Sequence, residues 1–179
     1  MTTDDPEGDA KWAAVDDAVE MLRDGDRDGA VRELTGVLAT EPKNEYAAFF
    51  LGCALFELGR FDYASTAFAQ AVRSKPTYLG ARINLAHSLR MEGRIEEALR
   101  EARRAEQLAP DDGDVHYALG LIYVTKNLPA VADQHLERFL ATRPDIEVAE
   151  EVRALLTALR GGAVTTDDGQ PPPPRLRPS

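Results

Sequence analysis

The chain has 179 residues, of which 44% are hydrophobic and 29% charged, and its formal net charge is −10 at pH 7. Such an acidic chain lacks the clustered Lys and Arg residues that phosphate binding requires, so we expect no nucleic-acid partner. Its apolar runs are all shorter than the ~20 residues of a membrane span, so we expect no membrane insertion.

The N-terminal segment, MTTDDPEGDA, carries four acidic residues and, after Met1, no large apolar side chain. This composition predicts that residues 1–10 are disordered. A secretory signal would be basic and then apolar, which is the opposite pattern. The single cysteine, Cys53, excludes an internal disulfide and is typical of a reducing compartment. We therefore predict a cytoplasmic location.

After this segment the sequence repeats with a fixed period. Pro42, Pro76, Pro110 and Pro144 are spaced 34 residues apart, a period typical of stacked repeats. Each unit reads as two amphipathic helices, and the first pair is expected between about residues 9 and 40. The predicted units span residues 11–44, 45–78, 79–112 and 113–146.

The same register aligns two further sets of residues. Gly25, Gly59, Gly93 and Asn127 fall at the turn between the two helices, and all of them tolerate a positive φ. The small residues Ala18, Gly52, Ala86 and Gly120 fall where the first helix must closely approach a neighbour. The register therefore predicts four units without insertions.

A last amphipathic segment, Ile146 to Arg160, follows the fourth unit. It predicts a capping helix over residues 147–160, which would cover the apolar edge of the last unit. Gly161 and Gly162 mark its end. Residues 161–179 are expected to be a disordered, proline-rich tail, either a passive spacer or a weak proline-rich ligand.

Sequence motifs of catalysis and metal binding are missing. His87, His116 and His135 occupy different repeat positions, without the local spacing of a metal site. The chain also has no glycine-rich phosphate loop, nucleophile elbow or HExxH motif. We therefore expect no catalytic residue, no metal and no cofactor, and we predict that the chain is not an enzyme.

The repeat resembles the tetratricopeptide repeat family. The family pattern of Leu-Gly, Ala, an aromatic residue and Pro is met in the second unit by Leu51-Gly52, Ala64, Phe68 and Pro76. The fourth unit repeats the pattern from Leu119-Gly120 to Pro144. This resemblance implies an all-α fold, a right-handed α-solenoid of four helix-turn-helix units with a C-terminal capping helix.

In this family the first helices of the units line a concave groove that binds peptides or partner helices. The resemblance therefore implies a protein or peptide partner with an apolar segment. The groove could also be filled by the chain's own termini. Carboxylate-clamp members of the family need polar and basic residues at five groove positions, of which only Asn84 is present here. The implied groove residues are Tyr46, Phe49, Phe50, Cys53, Ile83, Asn84, His87, Arg90, Tyr117 and Leu121.

Three functions are compatible with the sequence. The leading hypothesis is a non-enzymatic adaptor or scaffold that holds a partner's apolar segment in the groove. The second is a chaperone of secreted proteins, because the acidic chain and the segment Phe49-Phe50-Leu51-Gly52 resemble the small tetratricopeptide chaperones of type III secretion translocators. The third is a self-assembling scaffold, a weak homo-oligomer formed by stacking of exposed array ends.

Overall fold

The computed structural model describes residues 6–161, which form ten α-helices and no strand. Three pairs of helices begin at positions that repeat with the 34-residue period of the sequence. The helices are α1 (Pro6–Ala13), α2 (Asp16–Arg23), α3 (Arg27–Thr40), α4 (Glu45–Glu57), α5 (Phe61–Ser74), α6 (Leu79–Met91), α7 (Ile95–Leu108), α8 (Gly113–Thr125), α9 (Pro129–Ala141) and α10 (Ile146–Arg160). The predicted all-α fold class is confirmed: the chain is an α-solenoid.

Local chemistry sets the helix ends. The Asn44 side chain accepts hydrogen bonds from the N–H groups of Tyr46 and Ala47, so it caps the free donors at the start of α4. Asp112 caps α8 in the same way.

The turn residues adopt the predicted left-handed conformation. Gly25, Gly59 and Gly93 have φ values of 85°, 72° and 77°, and Asn127 has 55°. These residues end the first helix of each unit and reverse the chain, so the two helices of a unit pack against each other. The solenoid follows from this arrangement, since each pair of helices also contacts the next pair.

Within the second and fourth units, a glycine of the first helix faces a large side chain of the second. A Cβ atom built on Gly52 would lie 2.6 Å from the Phe68 ring, and one on Gly120 would lie 2.5 Å from Leu136 Cδ2. Phe68 and Leu136 are fully buried. The two helices of these units therefore approach as closely as they do because the glycines have no side chain.

The N-terminus differs from the sequence expectation. Residues 6–10 were expected to be disordered, but Pro6–Ala13 form α1. Proline and acidic residues are favourable in the first turn of a helix, and Lys11 pairs with Glu7 one turn earlier. The first unit thus begins with two short helices, α1 and α2, rather than one.

The C-terminal helix α10 packs against α9. Val152, Leu156 and Leu159 are its buried apolar residues, and Arg160 pairs with Asp133 and Glu137 of α9. This helix covers the end of the array. The expectations for residues 1–5 and 162–179 lie outside the described residues. Within the described range, every helix is too short or too polar to cross a membrane.

Candidate functional site

All ten predicted groove residues lie on the first helices of units two, three and four. We call this set the first-helix face. Nine of its members are buried, and Tyr46 is half-buried. The face comprises Tyr46, Phe49, Phe50 and Cys53 of α4, Ile83, Asn84, His87 and Arg90 of α6, and Tyr117 and Leu121 of α8.

The α1 helix covers one end of this face. The Trp12 ring meets the rings of Tyr46 and Phe50 edge-on, with centroids 5.3 and 5.7 Å apart. The Lys11 carbonyl accepts a hydrogen bond from Asn44 Nδ2 at 3.0 Å. However, Trp12 is 39% exposed, and α1 has no buried residue. Because so little apolar surface holds it, α1 is one of the most easily displaced of the described helices.

Three polar residues form the middle of the face. Asn84, His87 and Arg90 succeed one another at three-residue spacing on α6, which places them along one side of that helix. Each is at most 2% exposed. Asn84 Oδ1, His87 Nδ1 and all three guanidinium nitrogens of Arg90 lack hydrogen-bond partners in the described part of the chain. We call these three residues the polar centre.

Burial sets the charge states of the polar centre. It lowers the pKa of His87 to about 3, and the neighbouring positive charge of Arg90 adds to this effect. Burial also lowers the pKa of Arg90, to about 10, although the electrostatic interaction with Tyr117 raises it. At neutral pH the polar centre therefore holds one positive charge and a neutral imidazole. The five N–H donors of the Arg90 guanidinium have no hydrogen-bond partner among the described residues.

The pKa of His87 predicts a loss of stability in acid. Below pH 6.5 His87 is protonated in the unfolded chain but stays neutral in the folded chain. The free energy of unfolding therefore falls as the pH decreases from 6.5 to about 3. For this residue the free energy of unfolding should fall by about 2 kcal/mol between pH 7 and pH 5. Urea denaturation of the wild type and of His87→Gln at pH 7 and pH 5 measures this fall in the free energy of unfolding. The variant should show the smaller loss, and equal losses would contradict the assignment.

The structure also joins two histidines that the sequence did not connect. His116 of α8 and His135 of α9 have their Nδ1 atoms 3.2 Å apart. A signal for this contact existed in the sequence. One repeat earlier, the equivalent residues are Arg82 and Glu101, which form a partly buried ion pair at 2.6 Å. The spacing of the histidines along the sequence did not indicate this contact, because it joins two different helices.

Cys53 is not a candidate nucleophile. It is buried on α4, and burial together with the charge of Glu57 raises the pKa of its thiol. A thiol of this kind is inert because the thiolate is the reactive form. Cys53 is therefore a packing residue of the first-helix face.

Comparison with known proteins agrees with this fold. Two family models, both described as tetratricopeptide repeat, match residues 21–82 and 83–146. A comparison with curated protein sequences finds no match.

Solved structures give the same picture. A MamA protein matches with a TM-score of 0.70 and 22% identity, over 87% of this chain and 84% of that protein. A thermophilic tetratricopeptide repeat protein of Thermus thermophilus matches with a TM-score of 0.67 and 23% identity, over 89% and 86% of the two chains. A tetratricopeptide repeat protein of Parabacteroides merdae has a TM-score of 0.68 and 20% identity, over 86% and 61%. These likenesses show the fold.

Proposed function

We propose that this chain, which belongs to the tetratricopeptide repeat family, is a non-enzymatic scaffold that binds a short apolar segment of a partner protein on its first-helix face. The family is one of protein-interaction modules, which supports a role in binding a partner protein. The proposal further assigns one acidic group to the partner segment, which pairs with Arg90.

The observation that carries the proposal is the unpartnered guanidinium of Arg90. The side chain is 1% exposed, and none of its nitrogens has a hydrogen-bond partner among residues 6–161. A buried charge without a partner costs several kcal/mol, and an anion that supplies the missing hydrogen bonds removes most of this cost. A carboxylate fits best because the guanidinium offers two parallel N–H groups to its two oxygens.

The residues around Arg90 suit a peptide. Asn84 Oδ1 is an acceptor without a partner in the described range, and it could take a backbone N–H of an extended segment. Phe49 and Phe50 of α4 and Ile83 of α6 are the apolar members of the same face. The bound segment would therefore place one acidic residue between apolar ones.

Access to the face requires a movement, because its residues are buried. We assign the opening of the α4 end of the face to α1, whose Trp12 contacts Tyr46 and Phe50. A partner's apolar side chain would take the place of the Trp12 ring. In this arrangement α1 competes with the partner, and weakening its contacts should strengthen binding.

Selection from a random peptide library displayed on phage, followed by fluorescence anisotropy with the selected labelled peptides, tests the proposal. We expect apolar peptides with one Asp or Glu and dissociation constants on the order of micromolar. Arg90→Met should weaken binding at least about tenfold, the cost of one lost charge-assisted contact. Trp12→Ala should strengthen binding.

The matched control is Tyr63→Ala on α5, an aromatic residue that is exposed and outside the face. It should leave peptide affinity unchanged. A wild-type chain that selects no peptide, or selected peptides that bind Arg90→Met as tightly as the wild type, would overturn the proposal.

The two other hypotheses remain open to direct tests. A chaperone of secreted proteins should be encoded next to a secretion apparatus and its substrates. A self-assembling scaffold should show a mass that rises with concentration in light scattering. A strict monomer would contradict self-assembly.

A further inference from the structure

A second cluster of side chains lies outside the first-helix face, where three consecutive helices meet. Glu106 of α7, His116 of α8 and His135 of α9 each offer one ligand atom, and these atoms all lie within 4.8 Å of one another. His116 and His135 are buried, and Glu106 is half-buried. None of the three residues takes part in the proposed partner binding.

The distance between the two imidazoles fits a shared ion. Their Nδ1 atoms are 3.2 Å apart. Two nitrogen ligands about 2.0–2.1 Å from a tetrahedral zinc ion lie about 3.3 Å from each other. The rings therefore already have the separation that a common metal ion would impose. The Glu106 carboxylate, whose ligand atom lies within 4.8 Å of both nitrogens, would move closer by up to about 1.5 Å to complete the set.

Neighbouring residues hold these ligands in place. The Tyr123 ring stacks on His135 with an interplanar angle of 14° and a centroid distance of 5.6 Å. Arg103 donates one hydrogen bond to the Tyr123 hydroxyl and another to Glu106 Oε2, both at 2.6 Å. Residues that orient ligands in this way are usual around metal sites. Since Arg103 occupies Oε2, the other carboxylate oxygen is available to an ion.

We propose that Glu106, His116 and His135 form a binding site for a divalent transition-metal ion of the zinc type. Two imidazoles and one carboxylate suit zinc and its neighbours better than magnesium or calcium, which prefer oxygen ligands alone. The fourth ligand position is open to water. The ion joins α7, α8 and α9, so it stabilises the junction between the third and fourth units.

The competing account is a histidine pair in which one Nδ1 donates a hydrogen bond to the other. It explains the contact between the rings, and it leaves Glu106 as the ion-pair partner of Arg103 alone. The positive charges of Arg103 and Arg138 near His135 oppose a cation, whereas the Glu106 carboxylate favours it. The two accounts therefore differ in whether the full-length chain binds an ion stoichiometrically.

Titration of the full-length chain with Zn²⁺ against a chromophoric chelator tests the proposal. We expect one equivalent to bind and the melting temperature to rise. Substitution with Co²⁺ should give visible absorption of a tetrahedral site. His116→Gln and His135→Gln should each lower the affinity by more than about 100-fold, since even residues that only orient ligands contribute 10–100-fold.

His87→Gln is the matched control, because His87 is equally buried but lies outside the cluster. It should bind Zn²⁺ like the wild type. Should the two histidine variants fail to fold, Glu106→Gln tests the same site at a half-buried position, with an expected loss of at least about tenfold. No stoichiometric binding by the wild type, or equal losses in His87→Gln and the cluster variants, would overturn the proposal.

Discussion

Gly52→Ala should lower the free energy of unfolding by about 1–3 kcal/mol, although it adds only one methyl group. The added Cβ would lie 2.6 Å from Cδ1 and Cε1 of Phe68. Phe68 is fully buried, so its ring cannot yield without moving other core residues. Strain from overpacking should therefore exceed the gain in helix propensity that alanine normally brings.

Gly36→Ala is the matched control, since it makes the same change inside α3. A Cβ at Gly36 would have no atom within 4 Å, so this variant should be about 0.5–1 kcal/mol more stable than the wild type. Urea denaturation of both variants measures the difference. A neutral Gly52→Ala would contradict the close helix contact.

The third unit supplies a further test of the same contact. It has Ala86 and Ala102 where the second unit has Gly52 and Phe68. The double variant Gly52→Ala/Phe68→Ala should therefore be more stable than the sum of the single effects predicts, because the new methyl enters space that the ring has left. The expected coupling is about 0.5–3 kcal/mol. Strict additivity would show that the two positions do not touch.

Arg90→Met should stabilise the free chain, by about 1–4 kcal/mol, while it weakens partner binding. Removal of an uncompensated buried charge relieves a large desolvation cost, and Met keeps much of the apolar volume of the Arg stem. A residue that costs stability yet is needed for binding is typical of functional sites. Thermal and urea denaturation measure the gain.

Arg100→Met is the control for Arg90→Met. Arg100 is exposed on α7, and its nearest acidic partner, Glu97, is 3.7 Å away. Its replacement should change stability by less than about 0.5 kcal/mol. If Arg90→Met were less stable than the wild type, the guanidinium would have a native partner and the case for an acidic ligand would fail.

The fold could be predicted from the sequence because its determinants are local and repeated. Proline spacing, turn residues and small packing positions recur every 34 residues, and the helix bounds follow them. The helix at the N-terminus, α1, was harder to predict from the sequence. The residues of α1 are polar and few, and only the contacts of Lys11 and Trp12 with α4 show why the helix forms there.

The candidate site was predictable only in part. The repeat register placed Asn84, His87 and Arg90 on one side of α6, but their burial depends on the surrounding chain and not on the period. His116 and His135 were assessed by spacing along the chain. Their contact crosses between helices, so only comparison with Arg82 and Glu101 one repeat earlier could have indicated it.

The contact between residues 19 apart differs from unit to unit. The second unit has Ala48 and Ala67 at these positions, the third has Arg82 and Glu101, and the fourth has His116 and His135. Helices of similar repeats risk exchanging partners during folding. If α6 paired with α9, Arg82 would face an imidazole and Glu101 would lose its cation. The two chemically distinct pairs would therefore disfavour an exchange of partner helices between the third and fourth units.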